Sequence, residues 1–427
     1  MLKIKEKVFL VRGAENGAIY DFNQMRFFRV PLTAIDFLEN ELEQFSKKMT
    51  EHDVDEFIQM CKDFDLLEDV ENALPVDGDI ENHLEAQPKP KFCWLEINSK
   101  CNQRCRHCFL GTELNSSELD YNLIRIVIKQ LKSLGVKTVA ITGGEPLLHR
   151  NFLQIVSDLD AAEMRVCLLT NGTLLNVQTM GYLKRHNVLI KIPLFGTQVQ
   201  HDMITGLPGS YDRTVSAIRS LSEMGANIVV TSTVTSLNVS GVNVVRQFCR
   251  EIGVPFEPAP LYPIGQAREN WMELSKNYRQ ILAACSAING ESGNGAKNRE
   301  EELFQRIDSG LTPFCVCGSE NIAISHDGTI LPCLLLRSQE FHLGRAKDLC
   351  EVFMRKAGRF DEVQSLLNFN NDEKCRACEV KYVCKGGGCK AVSYLFEGEY
   401  GHRDAFYADC YYNETGGMGY PKVNCPM

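Results

Sequence analysis

Three cysteines, Cys101, Cys105 and Cys108, fall within eight residues directly after the strand-like run Phe92–Asn98, and no other feature constrains the chain as tightly. Bound to a cube of four irons, three thiolates leave one iron without a protein ligand. An open iron is a place where a small molecule can bind, as the free position of a catalytic zinc is. A zinc ion with a fourth ligand elsewhere, or a purely structural thiol cluster, is compatible with the same spacing.

The whole chain carries 18 cysteines in 427 residues. So many thiols mark either a secreted disulfide scaffold or an intracellular metal binder. The chain begins Met1-Leu2-Lys3-Ile4-Lys5-Glu6-Lys7, with charges interleaved and no apolar segment behind them, which does not read as a signal peptide. No uninterrupted apolar run approaches the roughly 20 residues of a membrane span. The expectation is metal in a reducing cytoplasm, with no membrane partner. The formal net charge is −9, and residues 1–90 hold 10 basic against 20 acidic side chains. An acidic front end argues against nucleic acid, whose phosphates call for clustered Lys and Arg.

Three regions differ in pattern, within a length that suits two or three domains. Residues 1–72 read as a winged-helix-like unit, with strand-like runs at Lys7–Gly13, Ala18–Asn23 and Met25–Val30 and then two helices. Thr33 with Asp36, and Thr50 with Asp53, have the spacing of helix caps. Ile35, Leu38, Leu42 and Phe45 line one face of the first helix, and Val54, Phe57, Ile58 and Cys61 a face of the second. Residues 73–91 are acidic and broken by Pro75, Pro88 and Pro90, which reads as a linker. From 92 to 309, six short apolar strands alternate with amphipathic helices: Phe92–Asn98, Thr138–Thr142, Arg165–Thr170, Val188–Leu194, Asn227–Thr235 and Pro255–Leu261. The clearest helix spans 117–134. Six βα units predict an α/β fold. A partial (β/α)6 TIM-like barrel with functional loops at the strand C-termini and a doubly wound sheet both fit, and periodicity does not separate them. The last region, 310–427, holds 10 of the 18 cysteines and little regular periodicity. It is expected to fold around metal rather than around an aliphatic core.

The second strand ends in Thr142-Gly143-Gly144-Glu145-Pro146. Glycines there let the backbone approach a ligand closely, and Glu145 could hold an ammonium group. With this pair of motifs the chain resembles the radical S-adenosylmethionine (SAM) enzymes over roughly 92–300. Cys101, Cys105 and Cys108 match that family's Cys-x3-Cys-x2-Cys, and Gly143, Gly144, Glu145 and Pro146 match its SAM-amine motif. The resemblance implies that the open iron chelates the amino and carboxylate groups of SAM. One electron then cleaves SAM, and a 5′-deoxyadenosyl radical removes hydrogen from the substrate. His107 stands where the family often has an aromatic against the adenine. Thr170-Asn171-Gly172, and then Gly265 and Arg268, stand where relatives make further SAM contacts.

Further on, Cys315 and Cys317 precede Gly328-x4-Cys333, followed by Cys375-x2-Cys378-x5-Cys384-x4-Cys389 and Cys410. The CxxC part alone fits a zinc ribbon. The full series resembles the SPASM domain, which holds two auxiliary [4Fe–4S] clusters and would bring the total to three. The resemblance implies Cys315, Cys317, Cys333 and Cys389 for the first and Cys375, Cys378, Cys384 and Cys410 for the second. Residues 385–388 put four positions where the family usually has three, which leaves the register of Cys389 open. Either Cys315 or Cys317 satisfies the spacing to Gly328, and Cys425 is an alternative to Cys410. Cys61, Cys93, Cys167 and Cys249 read as core thiols.

Residues 1–72 resemble the RiPP recognition element, which binds leader peptides of ribosomally made, post-translationally modified peptides by edge-strand addition. The combination implies a peptide maturase that docks a precursor peptide by its leader and installs a thioether or carbon–carbon crosslink. An electron donor such as flavodoxin or ferredoxin would feed it. The alternatives are a SPASM enzyme on another substrate (sulfatase maturation or tetrapyrrole side-chain chemistry) and a catalytically silent iron–sulfur scaffold that binds peptide.

Overall fold

The computed structural model describes residues 2–39 (except 15, 22 and 25), 51–69, 90–114, 117–291 and 317–368, with 371, 376, 377, 391, 394 and 395 beyond them. Among the described residues, five strands belong to the front of the chain: β1 (Leu2–Ile4), β2 (Val8–Arg12), β3 (Asn16–Asp21), β4 (Arg26–Pro31) and β5 (Leu67–Asp69). β2, β3 and β4 form an antiparallel sheet in that order, and β1 pairs with β5. Ile4, Val8, Ile19, Ile35, Leu38, Cys61 and Leu66 close a small core between the strands and helices Leu32–Glu39 and Glu51–Asp63. The first helix follows β4 without a loop, so Thr33 lies in its first turn rather than ahead of it as a cap. Asp36 and Glu39 instead both accept from Arg12 at 2.6 Å. Leu42, Phe45, Thr50 and the linker up to residue 89 lie outside the described residues.

The six expected strands form, within two residues at each end: β6 (Phe92–Asn98), β7 (Thr138–Gly143), β8 (Arg165–Leu169), β9 (Leu189–Pro193), β10 (Ile228–Val234) and β11 (Phe256–Pro260). All neighbours are parallel and follow chain order from β6 to β11. A doubly wound sheet reverses its order at a switch point. This one does not, and it is the partial barrel. Its first helix runs Tyr121–Ser133, later than expected, because the Asp120 carboxylate accepts from Leu123 N and starts it there. Ile124, Val127, Ile128 and Leu131 are its buried stripe, and Gly135 ends it at φ +82°.

Three further strands, β12 (Asn321–Ile324), β13 (Thr329–Leu331) and β14 (Gly344–Arg345), extend the same sheet. β12 lies parallel to β6, and β13 and β14 follow antiparallel. The expectation that the last region lacks an aliphatic core is corrected for 317–367. Ile322, Ile324, Ile330, Phe341, Leu349, Val352, Phe360 and Val363 join the main hydrophobic core. They are spread over elements of two to eight residues, too short to show a period. Among the described residues, no helix is long and apolar enough to cross a membrane.

Candidate functional site

The loop Cys101–Cys108 leaves the C-terminal end of β6 and is shaped by backbone groups of its neighbours. Arg104 N donates to Thr205 O and Arg106 N to Ile204 O, both at 2.9 Å, at the end of helix Gln198–Thr205. Gln266 N donates to Cys108 O at 2.8 Å, and Asn270 Nδ2 to Arg106 O at 2.8 Å. Gly265, at φ +54°, packs so tightly on the Cys108 and Phe109 carbonyls that no Cβ fits there. Arg268 is exposed on the short helix beside it. These supports were not legible in the sequence, because a backbone N–H or C=O is supplied by any residue type.

All three thiols are pushed up by burial: Cys101 to about 11, with Cys105 and Cys108 also raised. Gln103 links two of them, its N donating to Cys101 Sγ at 3.4 Å and its Oε1 accepting from Cys105 Sγ at 3.5 Å, and Cys108 N donates to Cys105 O at 3.1 Å. Metal loading must displace their protons. Among the described residues no three His, Cys, Asp or Glu side chains converge on a single ion. In a four-iron cube, by contrast, each thiolate meets its own iron.

Glu145 is fully buried at the end of β7. Its Oε1 accepts from Leu147 N at 3.1 Å and from Thr170 Oγ1 at 2.8 Å, and its Oε2 from Asn171 N at 2.8 Å. The carboxylate thus ties the β7 loop to the β8 loop. Asn171 Nδ2 reaches on to Asn102 Oδ1 inside the cysteine loop, also at 2.8 Å. Pro146 opens the short turn Pro146–Leu148. The two glycines serve a closer approach than the one expected. A Cβ on Gly143 would overlap the Asn98 carbonyl oxygen, and one on Gly144 the Lys100 carbonyl oxygen. Gly144 N and Glu145 N donate to those same two oxygens, at 3.0 and 2.6 Å.

Burial raises the Glu145 carboxyl from 4.5 to about 7, against the opposing bonds from Asn171, Thr170 and Leu147. The folded apoprotein therefore holds a proton that the unfolded chain releases. The stability this contributes is complete below the unfolded value and is lost as pH rises through about 7, by on the order of 3 kcal/mol. Glu145→Gln should flatten the fall in urea midpoint of the apoprotein between pH 5 and 8.

Several buried polar atoms have no partner among the described residues: Asn98 Oδ1 at the end of β6, Gln103 Nε2 and His107 Nδ1 in the cysteine loop, His201 Nε2 on helix Gln198–Thr205 and Ser232 Oγ in β10. Each orphan costs about 1–3 kcal/mol unless a ligand meets it. His107 packs edge-on against Phe195, with centroids 4.8 Å apart, and Phe195 stacks on His201 at 5.4 Å. Burial lowers both histidines to about 4, so they are neutral near pH 7. Three thiols beside a set of unsatisfied polar atoms fit an iron–sulfur cluster carrying a polar small molecule. His149, Thr235 and Asn238 have local roles: His149 Nδ1 accepts from Asn151 N, and Asn238 Oδ1 accepts from Thr235 N and Oγ1.

Residues 95–244 match the radical SAM superfamily, and residues 315–379 match the SPASM iron–sulfur cluster-binding domain. The chain is a radical SAM enzyme with a SPASM domain. Its cofactors are [4Fe–4S] clusters and SAM. The enzyme is 26% identical to an AdoMet-dependent heme synthase of Methanosarcina barkeri, over 73% of this chain and 94% of that protein. It is 25% identical to the sporulation killing factor maturation protein SkfB of Bacillus subtilis, over 62% of this chain and 64% of that one. Streptococcus suis SuiB bound to SAM shares the fold, with TM-score 0.59 and 17% identity over 95% of this chain and 99% of SuiB. Another SuiB structure holds the precursor peptide SuiA.

In the enzyme's C-terminal region, Cys317 is half-buried next to β12 and Cys333 is buried just past β13, so both ride on the strands added to β6. Cys315, Cys375, Cys378, Cys384, Cys389, Cys410 and Cys425 lie outside the described residues. Cys61, Cys93, Cys167 and Cys249 are buried, as core thiols should be.

Proposed function

We propose that this enzyme is a peptide maturase that binds a precursor by its leader and installs a thioether or carbon–carbon crosslink. The observation that carries the reading is the antiparallel unit β2–β4 with its two helices, ahead of the barrel. β2 and β4 are its outer strands among the described residues, the geometry to which an extended peptide adds by main-chain hydrogen bonds. The likeness to SuiB spans 95% of the chain and so leaves too few residues over to omit this unit, whereas the heme synthase match spans 73%. A relative named as a sporulation killing factor maturation protein and a neighbour of the same fold bound to a precursor peptide support it further.

In this reading residues 1–72 hold the leader and the 73–91 linker lets the core peptide reach the barrel of residues 92–309. Cys101, Cys105 and Cys108 hold three irons and leave the fourth to SAM. His107, Gly143, Gly144, Glu145, Pro146, Thr170 and Asn171 line the SAM site. In the SPASM region, 310–427, Cys315, Cys317, Cys333 and Cys389 hold one auxiliary cluster, and Cys375, Cys378, Cys384 and Cys410 the other. When bound, the cluster and SAM supply hydrogen-abstracting radical chemistry. The chain's own residues orient and shield it: Glu145 fixes the Thr170–Asn171 loop, and the neutral His107–Phe195 pair makes a wall without mobile charge. An electron donor such as flavodoxin or ferredoxin, in a reducing cytoplasm, would feed the cluster; a cleft of about 310 Å³ lies beside Cys105 and Cys108, lined by Arg104 and by Arg106, which pairs with Glu273 at 2.9 Å.

The test uses a fluorescently labelled leader segment of a candidate precursor peptide. Deleting residues 1–85 should weaken its binding at least about tenfold, or 1.4 kcal/mol. Equal binding by the truncated and full chains would end the leader-docking reading. The second reading, tetrapyrrole chemistry, is favoured by the heme synthase match over 94% of that protein. It requires deoxyadenosine formation with a tetrapyrrole and none with peptide.

A further inference from the structure

Arg337 stands four residues beyond Cys333 and reaches into the joint between the C-terminal segment and the cysteine loop. Its side chain is 11% exposed. Nη1 and Nη2 donate to the two oxygens of Glu96 on β6, at 2.7 and 3.1 Å. Nε and Nη2 donate to the two oxygens of Glu113, five residues after Cys108, at 3.0 and 2.6 Å. The cation also lies over the ring of Phe109, the residue next to Cys108, 5.7 Å from its centroid. His326 joins from the same C-terminal segment: its N donates to Glu96 Oε2 at 3.3 Å, and its Nε2 lies 3.4 Å from Glu113 Oε2.

A buried ion triad is a poor device for stability, since well-packed apolar residues often do as well. Its position suggests another use. Reduction adds a negative charge to an iron–sulfur cluster, and nearby net charge is one of the levers that set its potential. A cation held against the loop favours the reduced state, and an anion opposes it.

We propose that Arg337 is a positioning residue through which the C-terminal segment sets the reduction potential of the cluster held by Cys101, Cys105 and Cys108, with Glu113 opposing it. The inference rests on the reading that these three cysteines hold the cluster.

The test is a redox titration of the fully reconstituted full-length enzyme at pH 9, where the carboxylates keep their charge. It follows the EPR signal that changes on adding SAM. At the parent's midpoint, Arg337→Gln should lower the reduced-to-oxidised ratio about tenfold, the order produced by one partly screened charge; for one electron that is about 59 mV. Arg337→Gln with Glu96→Gln restores the local net charge and should return the ratio toward the parent. Glu113→Gln should raise it, by about threefold, because that carboxylate is nearer to screening solvent. An unchanged ratio in Arg337→Gln, or a single and double variant that behave alike, overturns the proposal. So does a Glu113→Gln ratio that does not rise. If Arg337→Gln does not fold, Glu113→Gln alone decides by the same criterion. Replacing the three cysteines by alanine must remove the SAM-responsive signal; if the signal survives, the reading of the ligands fails rather than the role of Arg337.

Discussion

A variant with Cys101, Cys105 and Cys108 all replaced by alanine is expected to stay folded, lose about a third of its iron and form no 5′-deoxyadenosine from SAM and dithionite. The loop should keep its course, because its shape comes from backbone bonds. Arg104 and Arg106 pair with Thr205 and Ile204, and Gln266 donates to the Cys108 carbonyl. Thiol removal touches none of these. Activity is another matter: without the thiolates nothing in the loop holds iron, and the loss should be complete rather than partial. Anaerobic incubation, with and without peptide, followed by chromatography and iron analysis, checks both parts. Persistent deoxyadenosine would refute the site. Loss of all the iron would show that these thiols also organise the SPASM cysteines.

The second large effect is expected at the glycine pair. Gly143→Ala should destabilise the protein by about 2–4 kcal/mol, the sum of overpacking and backbone strain, and should lower cluster loading with it. Gly143 sits at φ +138° with the Asn98 carbonyl oxygen where a methyl would go. Gly144→Ala meets the Lys100 carbonyl and, at 3.1 Å, Cys101 Cβ. Neither obstacle is a flexible side-chain end, so relief requires moving the segment that leads into Cys101. Gly135→Ala is the control. It has φ +82° but open space around it, and should cost only about 1 kcal/mol with normal iron content. Urea melts and iron assays compare the three. Equal destabilisation by Gly135→Ala and Gly143→Ala would mean that φ alone matters.

Much of the barrel was legible locally. Leu95, Ile97, Val139, Ile141, Val166 and Leu168 fall in short runs bounded by turn residues, and each run became a strand. The chemistry of the cysteine loop was legible for the same reason, because its spacing is local. The glycines were found but their immediate purpose was not. Their close neighbours are the Asn98 and Lys100 carbonyls some 45 positions earlier in the chain, and no reading of Gly143-Gly144-Glu145-Pro146 alone brings those into view. β1 and β5 were missed because three-residue strands carry no period and pair across 63 to 67 positions of the chain.

The sequence by itself determined the elements of the barrel and the chemical class of its centre. Hydrophobic runs, caps and thiol spacing act over a few residues, where side chain and backbone meet whatever the rest of the chain does. Only the tertiary structure decided that the strands run in sequential order, that β12–β14 continue the barrel's own sheet along β6, and that Arg337 is gripped by Glu96 and Glu113. Those outcomes depend on which distant surfaces bury one another. An arginine 241 positions from its buried carboxylate partner leaves no mark in local pattern, because the pairing is worth its desolvation only after the two segments have packed together.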